Sequence, residues 1–213
     1  MSSYPVPAGE IRREFTISNS RFIASLCPVF SVDEAKTFIS RIKEEFADAT
    51  HNVPVYIIGH GGSEIAHCSD AGEPSGTAGR PALAVLRGSG LGDVAVVITR
   101  YFGGTKLGTG GLVRAYSEGV RSVVEAVTRA EKVLTHTIML AFPYTYLERI
   151  RILVADQAGT VLDEEFAEDV TLTARLRVDN LAGFQSAMSD LTRGSVKAEI
   201  IETKEILMPI PPT

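Results

Sequence analysis

Two glycine-rich segments, residues 70–80 (DAGEPSGTAGR) and 103–111 (GGTKLGTGG), set the strongest limit on the fold of this chain. Glycine and proline are too dense in the first for a regular helix or strand, and both segments are rich in small polar side chains. The second segment follows an apolar, β-rich run, Val94–Tyr101, and precedes a helical pattern from Leu112 to Lys132. We therefore predict two loops, the second of which joins a buried strand to a long helix.

The rest of the first half has a simpler hydrophobic pattern. Residues 10–30 are typical of two strands joined by a turn, and residues 53–59 and 65–68 are typical of a hairpin. Between these pairs, Ser31 and Glu34 form the capping-box pattern that begins a helix, in which each side chain can pair with an exposed backbone N–H. The first half is therefore predicted to mix strands and helices.

A second pattern starts near residue 132 and has the order β-α-β-β-α-β. Residues 170–178 alternate between apolar and polar side chains, which predicts a half-buried strand with one face toward water. The element order is that of the ferredoxin-like fold, with two helices on one sheet face and the other face open. We therefore predict an α+β protein of two domains, residues 1–131 and 132–213.

Composition places the chain among ordinary globular proteins. Hydrophobic residues make up 45% and charged residues 22%, so a sizeable core can be buried. The longest apolar runs fall far short of the roughly 20 residues that span a bilayer, and no signal peptide is recognisable. Cys27 and Cys68 are the only cysteines, which suits a reducing compartment. We expect a cytoplasmic protein with no membrane partner.

Basic residues gather around the second glycine-rich segment, although the formal net charge is −5. The stretch contains Arg100, Lys106, Arg114 and Arg121, with one acid, Glu118. Glycines let backbone N–H groups approach a ligand, and the first turn of the following helix has unpaired N–H groups and the positive end of the dipole. This combination predicts an anion site. The alternative is that the glycines only allow a tight turn and close helix packing.

The second segment does not match the common nucleotide-binding motifs. Gly103 and Gly108 have the spacing of a P-loop, but Thr109 and Gly110 follow where Lys and Ser or Thr are required. The dinucleotide pattern fails because Val113 takes the place of its third glycine. Binding of ATP or NAD is therefore unsupported, and no cofactor is predicted.

The first glycine-rich segment contains groups that could take part in catalysis. Asp70 and Glu73 could act as acid and base, and Ser75 or Thr77 as a nucleophile. A nucleophile needs a base beside it, and sequence order alone does not bring one there. The preferred alternative is that the two carboxylates bind backbone N–H groups and brace a turn, so no catalytic residue is predicted.

The histidines and cysteines do not predict a metal site. The spacing of the potential ligands His51, His60, His67, Cys68 and Asp70 matches no standard zinc pattern. His67 and Cys68 are adjacent, so on a strand they would point to opposite faces. We expect His51 to be an ordinary polar residue after the first helix.

The predicted anion- or ligand-binding residues come from both segments and their flanks. They are Asp70, Glu73, Ser75, Gly76, Thr77, Gly79, Arg80, Arg100, Gly103, Gly104, Lys106, Gly108, Gly110, Gly111 and Arg114. We expect the two segments to lie together beside one edge of a sheet.

Four stretches of the sequence resemble the IMPACT/YigZ family. They are residues 69–86 (SDAGEPSGTAGRPALAVL), 96–116 (VVITRYFGGTKLGTGGLVRAY), 20–24 (SRFIA) and 48–52 (DATHN). The resemblance implies an N-terminal domain of the ribosomal-protein-like β-α-β type, similar to domain IV of elongation factor G, and a ferredoxin-like C-terminal domain similar to domain V. Val53 takes a position where the family often has cysteine, so no thiol chemistry is expected there.

The resemblance also implies a function in translation. Eukaryotic relatives inhibit activation of the amino-acid-starvation kinase by competing for its activator protein. We expect a non-catalytic protein that contacts RNA, the ribosome or a translation factor through the basic loop, without recognition of a DNA sequence. Two alternatives stay open: a regulator that contacts only proteins, and a hydrolase or transferase that acts on a phosphorylated small molecule. The oligomeric state is left open.

Overall fold

The computed structural model describes residues 4–210, which divide into two compact units. The first unit holds residues 4–131 and 208–210, and the second holds residues 132–207. Each unit combines a β-sheet with helices, so the predicted α+β class is confirmed. No helix in the described residues is long and apolar enough to cross a membrane.

The elements within residues 4–210 occur in the order that the hydrophobic pattern predicts. The strands are β1 (Pro5–Pro7), β2 (Ile11–Ile17), β3 (Ser20–Pro28), β4 (His51–Ile58), β5 (Ile65–Cys68), β6 (Val94–Tyr101), β7 (Arg129–Phe142), β8 (Thr160–Phe166), β9 (Val170–Arg177) and β10 (Glu199–Pro209). The α-helices are α1 (Val32–Glu45), α2 (Gly79–Gly88), α3 (Gly108–Ala126), α4 (Leu147–Asp156) and α5 (Leu181–Thr192).

The central strand of the first unit, β6, is apolar because both of its faces are covered. Val94, Val96 and Ile98 pack in the cluster that contains residues of α2 and α3, whereas Ala95 and Val97 pack with α1. Since successive side chains of a strand point to opposite faces, α1 lies on one face of the sheet and α2 and α3 lie on the other. The strand order is β2-β3-β6-β4-β5, and all neighbours are antiparallel.

The second unit has the predicted order β-α-β-β-α-β. Strand β7 pairs with β9 and β10, and β8 pairs with β9 at the edge. Apolar residues of β7 and β9 pack with Ile150 and Val154 of α4 and with Phe184 and Met188 of α5. The alternate residues of β9 are only partly buried, as expected for a strand with one face toward water.

The long helix α3 differs from its predicted range of 112–132 at both ends. It begins at Gly108, because Leu107 packs against the core and Leu112 is buried. The residues between them therefore form the first turn of the helix, despite the weak helix propensity of glycine. It ends at Ala126, because residues 129–131 pair with β1 instead. Strand β7 therefore starts four residues before the predicted Val133.

One other boundary differs from the prediction of a loop over residues 70–80. Helix α2 begins at Gly79, so Gly79 and Arg80 are helical and not part of the first loop. The last strand, β10, begins at Glu199. Val196 is buried in the core of the second unit, and its backbone N–H donates to Thr192 Oγ1 at the end of α5.

Candidate functional site

A cavity of about 490 Å³ opens in the first unit where β4 begins and β6 ends. His51 of β4 and Arg100 of β6 are register partners, so both lie at the same end of the sheet. The two glycine-rich segments meet at this place. Residues that line the cavity are Thr50, His51, Glu73, Pro74, Arg100, Phe102, Lys106, Leu107, Gly108, Thr109 and Leu112.

The carboxylate of Glu73 forms part of the cavity floor and is held by two donors. Arg100 Nη1 and the Tyr116 hydroxyl both donate to Glu73 Oε1, each at 2.7 Å. Burial, together with the hydrogen bond to Glu73, raises the pKa of Tyr116 far above its ordinary value, so its hydroxyl remains a donor. The other oxygen, Oε2, lies 3.8 Å from His51 Nε2.

The guanidinium of Arg100 is packed between two aromatic rings. Its Cζ lies 5.6 Å from the ring centroid of Phe22 and 5.5 Å from that of Phe102. Arg100 Nη2 donates to Ser20 Oγ at 3.3 Å, whereas the buried Nε has no hydrogen-bond partner among the described residues. Phe102 is 46% exposed and lines the cavity.

The backbone determines which nitrogen of His51 carries the proton in the neutral ring. His51 Nδ1 lies 2.9 Å from the carbonyl oxygen of Ala71, which can only accept a hydrogen bond. Nδ1 is therefore the donor, and Nε2 keeps its lone pair on the side of Glu73. The sequence predicts His51 as an ordinary polar residue after the first helix, and the structure places it at the start of β4, where it lines the cavity.

The rim of the cavity contains groups that attract anions. Lys106 is exposed, and two residues later α3 begins with its unpaired N–H groups. Leu107 has right-handed helical angles (φ −77°, ψ −20°), and Gly108 follows with φ +70°. This succession is typical of a backbone nest, in which neighbouring N–H groups converge on an anion.

Asp70 braces the first loop instead of facing the cavity. Its Oδ1 accepts from the N–H groups of Ala78 (3.1 Å) and Gly79 (2.8 Å), and its Oδ2 accepts from Gly76 (2.8 Å). Burial acts to raise the pKa of Asp70, but the three hydrogen bonds outweigh it and hold the pKa below its ordinary value. The carboxylate also caps the N-terminus of α2, where negative charge is favoured.

Other predicted residues of the first segment have local roles. The Thr77 hydroxyl donates to the carbonyl of Pro74 at 2.7 Å, so it is held in a turn. Ser75 and Arg80 are exposed. Gly79 lies so close to Ser69 that a Cβ would come within 2.8 Å of its carbonyl atoms. The turn-bracing interpretation of the two carboxylates thus holds for Asp70, whereas Glu73 accepts from Arg100 and Tyr116 at the cavity.

The predicted residues of the second segment divide between the wall and the helix. Lys106 and Gly108 line the cavity, while Gly110, Gly111 and Arg114 lie in the first two turns of α3. Gly103 passes so close to Asn19 that a Cβ would come within 1.9 Å of its carbonyl oxygen. Gly104 has φ +83°, a left-handed conformation that favours glycine.

Sequence reasoning missed four residues that shape the site: His51, Thr50, Phe102 and Tyr116. Thr50 Oγ1 accepts from the N–H of Phe102 at 3.0 Å, which ties the start of β4 to the end of β6. His51 and Thr50 lie in the DATHN stretch, and that was the available signal. Tyr116 lies on the buried face of α3, but its hydroxyl partner depends on tertiary packing.

The donor set of the cavity does not suit a metal ion. Among residues 4–210, no group of three or more His, Cys, Asp or Glu side chains is arranged to hold one. His51 and Glu73 are two such groups, and the Glu73 carboxylate is already paired with Arg100.

Two family models match the chain. The Impact N-terminal domain matches residues 18–124, and a domain of unknown function, DUF1949, matches residues 140–195. The first match contains every residue of the cavity.

Relatives of similar length match almost the whole chain. IMPACT family member YigZ of Escherichia coli strain K12 is 36% identical over 203 residues, which are 95% of this chain and 100% of the relative. IMPACT family member YvyE of Bacillus subtilis strain 168 is 37% identical over 195 residues, 92% and 88% of the two chains. A crystal structure described as that of a hypothetical protein is 35% identical and has a TM-score of 0.62. The match covers 95% of this chain and 98% of that one.

Proposed function

The chain belongs to the IMPACT family, and on that premise we propose that it is a translation-associated binding protein that contacts RNA through the loop before α3. The position of Lys106 carries the proposal. This exposed cation lies on the cavity rim, beside the N-terminus of α3 and above a floor that contains Arg100.

The charges of this surface favour a phosphate group. Lys106 and the N–H groups of the first turn of α3 offer positive potential to an anion on the surface. Arg114 is exposed in the second turn of the same helix and adds a further charge. Since the net charge of the chain is −5, attraction of a polyanion is expected to be confined to this patch.

RNA is the polyanion that agrees with the family resemblance. That resemblance implies a function in translation, and ribosomal RNA or RNA held by a translation factor exposes phosphates in single-stranded segments. The buried Glu73 does not oppose this assignment, because its charge is paired with that of Arg100.

The test is the affinity for a single-stranded RNA oligonucleotide over a range of salt concentrations. Each phosphate contact to single-stranded nucleic acid contributes about 0.7 to the slope of log affinity against log salt. If Lys106 and Arg114 each contact a phosphate, the variant Lys106→Ala/Arg114→Ala is expected to lower the slope by about 1.4.

Lys36→Ala/Lys43→Ala is the matched control. Both lysines are exposed on α1, which packs on the opposite face of the sheet, so this variant loses the same charge elsewhere. The control is expected to bind like the wild type. An unchanged slope in Lys106→Ala/Arg114→Ala, or no RNA binding at low salt, contradicts the proposed function.

One observation favours a second candidate, a hydrolase or transferase that acts on a phosphorylated small molecule. In its neutral form the His51 ring presents the lone pair of Nε2 to the cavity, which is what a general base requires. Asp70 and Thr77, considered first for catalysis, are engaged by the backbone. Turnover of a phosphoester by the purified protein that is lost in His51→Ala, but kept in the control His67→Ala, would establish this candidate.

A further inference from the structure

We propose that the cavity binds one guanine nucleotide, either an unpaired residue of RNA or a free nucleotide, with the base on Phe102 and the phosphate at the start of α3. The position of the phosphate in this inference rests on the proposed function. The position of the base is argued instead from the residues that form the wall and floor of the cavity.

The size of the cavity suits a single nucleotide. A volume of about 490 Å³ lies within the range of about 300–1,000 Å³ that is usual for small-molecule sites. The width of a nucleic-acid duplex exceeds that of such a cavity, so an RNA must present an unpaired residue. Single-stranded recognition normally works in this way, by stacking splayed bases on aromatic side chains.

Phe102 provides the surface on which a base can stack. It lines the cavity and is 46% exposed, although one side of its ring is near the Arg100 guanidinium, at 5.5 Å. An aromatic side chain at the wall of a cavity is a typical ligand contact. Pairing to Arg100 also holds the ring in place for stacking.

The floor of the cavity selects among the bases. Glu73 Oε2 is a carboxylate acceptor, and His51 Nε2 is an acceptor in the neutral ring. The two atoms are 3.8 Å apart. A ligand that satisfies both must therefore present two donors side by side.

Guanine is the base with that arrangement. Its Watson–Crick edge carries the N1–H and the N2 amino group as neighbours. Adenine and cytosine place an acceptor next to their amino group, and uracil flanks its single N–H with two carbonyls. With its Watson–Crick edge against the two acceptors, each of these bases brings an acceptor against Glu73 or His51, which leaves buried polar groups unpaired.

The phosphate end uses the groups of the proposed RNA contact. Lys106, Gly108 and Thr109 line the same cavity as Phe102 and Glu73. Their backbone N–H groups at the start of α3, together with the Lys106 ammonium, are suited to a monophosphate. The Thr50 hydroxyl accepts from the Phe102 N–H and still has its own proton to offer to a ribose oxygen.

The experiment is calorimetric titration of the full chain with the four nucleoside 5′-monophosphates, ribose 5-phosphate and inorganic phosphate. GMP is expected to bind at least roughly tenfold more tightly than the other nucleotides, because mispaired polar groups in a site are costly. Ribose 5-phosphate and inorganic phosphate are expected to bind more weakly than GMP. Equal binding of all six ligands would show a phosphate site alone and overturn the inference, as would no binding of GMP.

Two variants test the contacts to the base. Phe102→Ala is expected to weaken GMP binding by roughly tenfold through lost stacking, while Phe30→Ala, another exposed phenylalanine, leaves it unchanged. His51→Ala is expected to remove the preference for GMP over AMP. If the thermal unfolding curve of His51→Ala shows a misfolded protein, Phe102→Ala alone decides, since an exposed side chain can be truncated without opening the core.

A further titration distinguishes an RNA residue from a free nucleotide as the ligand. It also tests this inference separately from the proposed function. Oligouridylate with and without one central guanosine is titrated under the same conditions. A gain from the guanosine that Phe102→Ala removes identifies an RNA residue. Another outcome is RNA binding that depends on Lys106 and Arg114 but is unaffected by guanosine, together with no binding of GMP. That outcome leaves the proposed function intact and refutes this inference. GMP binding without RNA binding supports a free nucleotide and contradicts the proposed function.

Discussion

Arg100 Nη1 lies 2.7 Å from Glu73 Oε1, and the two side chains are only 6% and 3% exposed, although the residues are 27 positions apart in the sequence. The pair connects strand β6 to the first glycine-rich loop. It closes the cavity floor from below, so the geometry of the site depends on it.

Removal of one partner of this pair is expected to destabilise the fold strongly. Arg100→Met should lower the free energy of unfolding by about 3–5 kcal/mol, because it leaves a buried carboxylate without its counter-charge. The double variant Glu73→Gln/Arg100→Met should lose less stability than Arg100→Met, since it buries no unpaired charge. Denaturant titration followed by circular dichroism measures both.

The surface pair Arg87 and Glu64 is the control for this prediction. Arg87 Nε lies 2.7 Å from Glu64 Oε1, the same distance, but the Arg87 side chain is 53% exposed. Arg87→Met should change the free energy of unfolding by no more than about 1 kcal/mol. Equal losses in Arg87→Met and Arg100→Met would contradict the importance of burial.

The buried hydroxyl of Tyr116 should resist titration. Burial and the bond to Glu73 raise the pKa of Tyr116, so its contribution to the alkaline absorbance change of tyrosine should be missing until the protein unfolds. Wild type and Tyr116→Phe should therefore give the same amplitude in the native range. Tyr116→Phe should also be less stable by about 1.5–3 kcal/mol, the usual value of a hydrogen bond to a charged group.

Asp70→Asn should expose the contribution of the loop brace to stability at neutral pH. The amide keeps one acceptor but opposes a donor to one of the three N–H groups, so we expect a loss of about 1–3 kcal/mol at pH 7. Thermal and denaturant unfolding measure it. Asp190→Asn, at an exposed position of α5, is the control and should change little.

The same variant makes a pH prediction with a definite sign. The folded pKa of Asp70 lies below its unfolded value, so the carboxylate stabilises the fold above an unfolded pKa of about 3.9. That contribution to stability is lost as the pH falls through the pKa of Asp70 in the folded state. The stability difference between wild type and Asp70→Asn should thus be constant near neutrality and shrink at acid pH. A difference that grows on acidification would contradict the account.

Gly103 and Gly110 should differ sharply in their tolerance of a methyl group. A Cβ at Gly103 would lie 1.9 Å from the Asn19 carbonyl oxygen, so Gly103→Ala should destabilise by about 1–3 kcal/mol or more as the loop is displaced. A Cβ at Gly110 meets no atom of residues 4–210 within 4 Å, so Gly110→Ala should be neutral or stabilise α3 by up to about 1 kcal/mol. Similar effects of the two substitutions would contradict this distinction.

Local patterns predicted much of the fold. Strand β6 was predicted with its observed bounds, Val94–Tyr101, because an apolar run of that length can only be buried. The alternation of residues 170–178 also predicts the half-buried strand β9, whose Val170, Leu172, Ala174 and Leu176 are buried. Such periodicities depend on neighbours within one element, and a sequence displays them directly.

Boundaries that depend on a partner were predicted less well. Helix α2 begins early because Asp70, eight and nine residues before Ala78 and Gly79, accepts from their backbone N–H groups. Helix α3 ends early because residues near the N-terminus pair with β7. No local propensity contains this information.

The sequence by itself determined the two glycine-rich segments, the elements that flank them and the basic residues beside the second. Only the tertiary structure decided that His51 and Arg100 become cross-strand partners, that Glu73 rather than Asp70 enters the cavity, and that Tyr116 donates to it. The physical reason is that side-chain chemistry and backbone periodicity are local. The pairing of buried charges instead follows from strand register and helix packing between residues that are distant in the chain.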